Sequence, residues 1–269
     1  MISLIVPVYG AEAATVACLE SLRGQIDAET RLLVIDDASP DRSIVGALES
    51  AMVPFGGHAE LILQDVNRGF VGTVNHGFAR TEGDVILLNS DTVASPGFVM
   101  RIIECAATDA RIATITPFSN NAEICSFPDL CVAATVPKDL ARIAAAAERL
   151  PNEDFIDLPT GVGFCMWIRR EALEQLGDFD QATFGRGYGE ENDFCQRAIG
   201  HGWRNVLCHR AFVAHVGGES FAATTHRPNG EALRRLLARY PQYNRQVADF
   251  IAADPPRAWR QQLAHLLES

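Results

Sequence analysis

Short apolar runs bounded by turn residues recur through the first half of the chain, at 2–6, 31–35, 60–64, 84–88 and 112–116. Their length and their aliphatic content predict strands buried on both faces. Between them, at 12–23, 43–52, 71–81 and 96–107, apolar residues return at helical spacing. Strands alternating with helices predict βαβ units, hence an α/β fold with a Rossmann-like, mostly parallel sheet flanked by helices. The rhythm breaks over 118–158, where a polar opening leads into an Ala-rich stretch at 140–150 that reads as an inserted helix. A strand at 164–168, a short helix at 170–176, a glycine-rich loop at 184–189, a helix at 190–201 and an edge strand near 211–216 follow. The pattern divides the chain into a main domain, 1–225, with halves 1–117 and 118–225, and a helical extension, 226–269.

In open α/β sheets ligands bind beyond the carboxyl ends of the strands. The segments there are PVYG, DDASPD, DVNRGF and NSDT. Asp36 and Asp37 end the second strand, where a carboxylate can accept hydrogen bonds from a base or from ribose hydroxyls; Asp36 or Asp41 can equally cap the next helix. Tyr9 offers a ring for stacking or for ordinary packing. Asn89, Ser90 and Asp91 close the fourth strand. Asp91 is a hard oxygen ligand suited to Mg²⁺ or Mn²⁺, although the same tripeptide also makes a turn and helix cap. Glu190, Glu191 and Asp193 crowd the start of a helix, where one carboxylate could take a proton from a hydroxyl or where all three merely complement the helix dipole. His215 ends an apolar run, as a structural residue or as a metal ligand.

The totals narrow the choice. With 34 acidic and 23 basic residues the net charge is −11, which disfavours nucleic acid as a partner and means that a diphosphate would need local help from a cation. The tail from His226 runs the other way, with seven Arg against four acidic residues. Seven cysteines without a CxxC pair predict buried thiols in a reducing cytoplasm rather than a disulfide framework. The opening apolar run is too short for a signal peptide or membrane span.

Taken in order, ISLIVPVYG, LLVIDDASPD, NRGFVGTVNHG, VILLNSDT, GVGFCMWIRREALEQLGDFD, GYGEENDFCQRAIGHGWR and VAHVGGESF resemble the GT-A-fold glycosyltransferases of family 2. That resemblance implies an inverting transferase using a nucleotide-diphosphate sugar donor, a glycan or lipid-linked glycan acceptor, and Mn²⁺ or Mg²⁺. It implies that Pro7, Val8, Tyr9 and Asp37 surround the base, joined by Asp36, and that Asn67, Gly69 and Asn75 approach the nucleotide together with Asn89 and Ser90. Asp91 would hold the metal with His215, and Glu191 would be the general base with Asp193 close behind. The sugar would be a hexose or deoxyhexose, and the setting bacterial cell-surface polysaccharide assembly in the cytoplasm, at the inner face of a membrane touched by the basic tail. Two residues depart from the family pattern: Asn89 stands where the motif often opens with Asp, and Glu191 where Asp is frequent. Asn89 keeps open a module that binds nucleotide sugars without turning them over. A dinucleotide-dependent dehydrogenase is disfavoured because the first turn, Pro7 to Glu12, lacks GxGxxG. Gly185, Gly187, Gly189, Gly217 and Gly218 flank the two catalytic groups, so 184–189 and 216–221 are expected to close over a bound donor. Base, sugar, linkage and oligomeric state are left open.

Overall fold

The computed structural model describes residues 1–217 and 230–269. Its centre is one nine-stranded mixed sheet in the order β3-β2-β1-β4-β8-β6-β9-β5, with β7 beside β9. β1 (Ile2–Val8), β2 (Thr30–Asp36), β3 (Ala59–Leu63) and β4 (Asp84–Leu88) are parallel. β8 (Cys165–Ile168) then runs antiparallel between β4 and β6 (Ile112–Phe118). β9 (Arg204–His215) is parallel to β6 and antiparallel to β5 (Thr92–Ala94) and β7 (Ile156–Asp157).

Alternation along each parallel strand explains the continuous apolar runs. Leu4, Val6 and Val8 of β1, Leu32 and Val34 of β2 and Ile86 and Leu88 of β4 face one layer, made by α1 (Glu12–Ser21), α2 (Ile44–Met52) and α4 (Phe98–Ala106). Ile5, Leu33, Ile35, Val85 and Leu87 face the other, with Val71, Val74 and Phe78 of α3 (Gly69–Phe78), Leu173 of α6 (Arg170–Leu176) and Phe194 of α8 (Glu190–Gly200). Both faces are covered, so both parities are mostly apolar. Gly77 lets α3 lie directly on the sheet: a Cβ there would come within 2.8 Å of Ile5.

The inserted helix is present as α5 (Leu140–Glu148), capped by Asp139, whose carboxylate accepts from Arg142 N–H. A four-residue helix, α7 (Gln181–Phe184), precedes the glycine-rich loop. The tail forms α9 (Glu231–Arg239), α10 (Tyr243–Ala253) and α11 (Arg257–Glu268). Among the described residues no helix is long and apolar enough to cross a membrane.

Two expectations are corrected. The last strand is not an edge strand near 211–216; it begins at Arg204 and lies inside the sheet. Its polar first half looked unlike a strand, yet Asn205 is buried because its amide bonds Thr114 Oγ1 at 2.9 Å and the Cys195 carbonyl at 3.1 Å. Six cysteines are buried free thiols as expected, but Cys131 is exposed, in a turn with φ of 59°. The tail's Arg235, Arg239, Arg245, Arg257 and Arg260 all face carboxylates of the chain itself.

Candidate active site

β1 and β2 end in register, Val8 beside Asp36. The loops beyond are tied together: Gly10 N–H donates to Ser39 Oγ and Asp37 N–H to the Val8 carbonyl, both at 2.8 Å. Val8 turns its side chain into the core, while Pro7 and Tyr9 are half-buried at the rim. Asp36 is fully buried and accepts from Ser39 N–H and, at 3.0 Å, from Arg42 Nη1. Asp37 Oδ1 accepts from Arg68 N–H at 2.6 Å and Gln64 Nε2 at 3.2 Å, and its Oδ2 from Gly69 N–H at 2.9 Å. Burial pushes the Asp37 carboxyl up, and those N–H groups pull only partly against it. The two aspartates therefore shape the loops at the strand ends. Asn67 Oδ1 also accepts from Gly69 N–H, at 3.2 Å. Gly69 opens α3 at φ 75°, and a Cβ there would stand 2.9 Å from Arg186 Cα. Asn75 uses both ends of its amide on Phe179, donating to its carbonyl at 2.9 Å and accepting from its N–H at 3.2 Å.

The end of β4 behaves differently. Asn89 N–H donates to the Phe164 carbonyl at 2.8 Å, and Ser90 and Asp91 are buried. Asp91 Oδ1 has no hydrogen-bond partner among the described residues, and 3.5 Å away lies His215 Nε2. Pairing of β5 with β9 brings them together, since Thr92 stands opposite His215 and Val216 N–H donates to the Asp91 carbonyl at 3.0 Å. His215 is fixed through both its ring and its backbone. Its Nδ1 lies 2.9 Å from the Asn121 carbonyl, its ring stacks on Phe164 at 5.3 Å, and the Asn120 amide bonds both the N–H and the carbonyl of His215, at 2.8 and 3.0 Å. A carbonyl at Nδ1 requires the proton there and leaves the Nε2 lone pair facing Asp91. Ligands about 2.1 Å from a shared ion stand roughly this far apart, and carboxylate plus imidazole suits Mn²⁺ or Mg²⁺. No cluster of three or more such ligands exists among the described residues, so the rest of a coordination shell would come from substrate oxygens and water. Burial disfavours charge on His215, but Asp91 outweighs it and raises the imidazole above its ordinary value; a proton and a cation compete for one pair.

The third group opens α8. Glu191 lies over Gly163, whose Cβ would meet its Cγ at 3.6 Å, and the next residue, Phe164, stacks on His215. Oε2 of Glu190 and of Glu191 are both buried without a hydrogen-bond partner among the described residues. Burial raises both carboxyls, Glu190 further because Glu191 is charged beside it. Asp193 is held elsewhere, by Arg197 Nε at 2.8 Å, Arg239 Nη1 at 2.6 Å and Tyr240 OH at 3.0 Å. The structure thus brings Asp91, His215, Phe164 and Glu191 to one side, and Asp193 and Asn75 into supporting contacts. Asn120 and Asn121 went unnoticed in the sequence; the polar run Ser119-Asn120-Asn121 directly after a strand was the available signal. Of the expected closing segments, 218–221 lies outside the described residues, and Gly217, at φ 78°, packs against the Asn121 amide.

A mixed sheet with this strand order and a carboxylate at the end of β4 defines a GT-A glycosyltransferase. Residues 3–177 match the model of glycosyl transferase family 2, and the chain belongs to that family. Similar solved structures include GalNAc-T7 with UDP, GalNAc and Mn²⁺ (TM-score 0.66, 13% identity, 98% of this chain and 55% of that one). The mannosyltransferase PcManGT from Pyrobaculum calidifontis with GDP-Man and Mn²⁺ gives a TM-score of 0.58 at 14% identity over 99% of this chain and 84% of that one. TarS 1–349 of S. aureus with UDP-GlcNAc also gives 0.58, at 16% identity over 99% and 71%. The chain thus spans about half the length of the first of these. No curated protein sequence matches it significantly. The family match stops short of Glu191, Asp193 and His215.

Proposed function

We propose that the protein transfers a sugar from a nucleoside-diphosphate sugar to a hydroxyl of a glycan or lipid-linked glycan acceptor, inverting the anomeric carbon. The observation that carries this reading is the buried Asp91 Oδ1, without a hydrogen-bond partner among the described residues, facing a tautomer-fixed His215 Nε2 at the end of β4 in a family 2 frame. Neighbours whose structures hold UDP, GDP-Man or UDP-GlcNAc, two of them with Mn²⁺, support a nucleotide-sugar donor and a divalent cation.

Asp91 and His215 would hold the cation, which when bound would supply positive charge against that developing on the departing diphosphate. Pro7, Tyr9 and the loops anchored by Asp36 and Asp37 receive the base and ribose, with Asn67 and Gly69 alongside. Glu191 accepts the proton of the acceptor hydroxyl as that oxygen bonds to the anomeric carbon and the bond to the diphosphate breaks on the opposite face. Burial and the neighbouring Glu191 raise the Glu190 carboxyl, which disfavours a second negative charge beside the base. Burial, which raises the Glu191 carboxyl, makes it bind the abstracted proton more firmly.

Calorimetric titration of UDP, GDP and dTDP with Mn²⁺, with Mg²⁺ and with EDTA tests the reading. One nucleotide should bind with a cation and lose affinity in EDTA. Equal affinity with EDTA removes the cation pair from the account. Cation-dependent binding without transfer to any acceptor favours the idle binding module that Asn89 suggests.

A further inference from the structure

We propose that the helical tail belongs to the transfer machinery, with Arg239 as a positioning residue that locks the first turn of α8, and so Glu191, to the glycine-rich loop. The segment lies beyond the family match. Three separate groups meet one guanidinium: Nη1 bonds Asp193 Oδ1 at 2.6 Å, and Nη2 bonds Asp180 Oδ2 at 3.0 Å and Thr183 Oγ1 at 3.1 Å. Asp193 is in the same helical turn as Glu191 and has no exposed side-chain surface. Asp180 caps α7, accepting from Thr183 N–H at 2.9 Å, so Arg239 ties the helix before the loop to the helix after it.

Both hinges of the loop rest on α9. Phe184 packs with Leu236 and Tyr243, and the Arg239 guanidinium lies 6.0 Å from its ring centroid. Gly189, at φ 92°, has Phe184 and Ala232 against its open side, at 3.0 and 3.8 Å from a built Cβ. The middle of the loop reaches the donor end, where Phe70 N–H donates to the Arg186 carbonyl at 3.0 Å. Tyr188 sits at φ 76°, which a bulky residue keeps only where its surroundings hold it. A five-residue segment with three glycines would otherwise sample many states. Fixing its ends in the free protein lowers the ordering left to do when substrates bind. A lysine cannot reproduce this contact, because one ammonium cannot present a planar fork to two carboxylates and a hydroxyl.

Hydrogen exchange of the full chain tests the lock without any substrate. Arg239→Gln should speed exchange across 185–193 by roughly tenfold or more, the loss expected for charge-assisted hydrogen bonds, while β1, β2 and β4 keep wild-type protection. Arg239→Lys should recover only part of it. Should Arg239→Gln fail to fold, Tyr240→Phe, which removes the phenol bond to Asp193, and Asp180→Asn, which removes the carboxylate charge facing Arg239 Nη2, should show the same local pattern at smaller size. Unchanged exchange in 185–193, equal loosening of the whole sheet, or full rescue by lysine overturns the proposal. The catalytic consequence rests on the transferase reading: transfer kcat should fall roughly tenfold or more while the KM for the nucleotide sugar and the Mn²⁺-dependent affinity for UDP or GDP hold. A fall in that affinity matching the fall in kcat would overturn the positioning role. A wild-type protein that binds no nucleoside diphosphate would defeat the transferase reading and leave the exchange result to decide the lock.

Discussion

Asp91 and Asp193 are both buried carboxylates near the start of a connection or helix, with side chains 3% and 0% exposed, yet their surroundings differ. Asp193 has two guanidinium groups and a phenol on its oxygens. Asp91 has a buried oxygen with no partner among the described residues and an imidazole lone pair aimed toward it. A buried charge left short of partners costs several kcal/mol, so such a deficit persists where something outside the chain completes it. The saturated carboxylate holds the molecule together, and the deficient one marks where a ligand belongs.

The largest expected effect falls on the third carboxylate. Glu191→Gln should lower transfer roughly 10²–10⁴-fold with donor affinity unchanged, and the acid limb of the wild-type rate profile should lie above the ordinary glutamate range, since burial raises this carboxyl. Near-normal turnover would place the base elsewhere. Asp91→Ala should cost about a hundredfold or more in cation-dependent nucleotide affinity, in line with losing a direct ligand rather than a supporting group. It should move the denaturation midpoint little, because its Oδ1 has no hydrogen-bond partner among the described residues and faces only the His215 ring at 3.5 Å. Asp193→Asn should do the reverse: about 2–3 kcal/mol less stability in denaturant, below the fully buried case because Arg239 is partly exposed, with Mn²⁺-dependent nucleotide affinity kept. If the two variants behaved alike, the contrast between the carboxylates would collapse. Asn120→Ala frees the His215 backbone on both sides and should weaken cation affinity about tenfold, measured by Mn²⁺ titration with the bound nucleotide.

The smallest effect is a pH dependence in the tail. Arg260 and Arg257 lower the Asp254 carboxyl, against the raising effect of burial. A carboxyl lower in the folded state contributes stability above its unfolded value, near 3.9, and loses it as pH falls through the folded value. Asp254→Asn should therefore melt below wild type at pH 6, and the gap should narrow as the pH drops below about 4. A gap independent of pH would assign the contact to packing.

The parallel half was legible because burial on both faces leaves an apolar signature that needs no partner information; Leu4, Ile5 and Val6 read as a strand in isolation. The contact between Asp91 and His215 was legible only residue by residue. Asp91 stood out at a strand end, but nothing along the chain says that Asn121 sets the tautomer of His215. Asn75 shows the opposite difficulty, since an asparagine that clamps backbone and one that meets a ligand look alike in a sequence. The excess of arginine in the tail was legible, but its partners were not: Arg239 and Arg260 pair with Asp193 and Asp254. The polar start of β9 hid a strand for the same reason.

Antiparallel β8, lying between β4 and β6, has a consequence for how the molecule comes into being. β1, β2 and β3 pair through short βαβ steps, but β9 joins β6, β5 and β7 across long stretches of chain, so His215 reaches Asp91 by closing one of the longest loops in the chain. Such distant closures come late. During synthesis the parallel end of the sheet can exist before Asp91 and His215 meet, and an unfinished chain that ends ahead of β9 would lack His215.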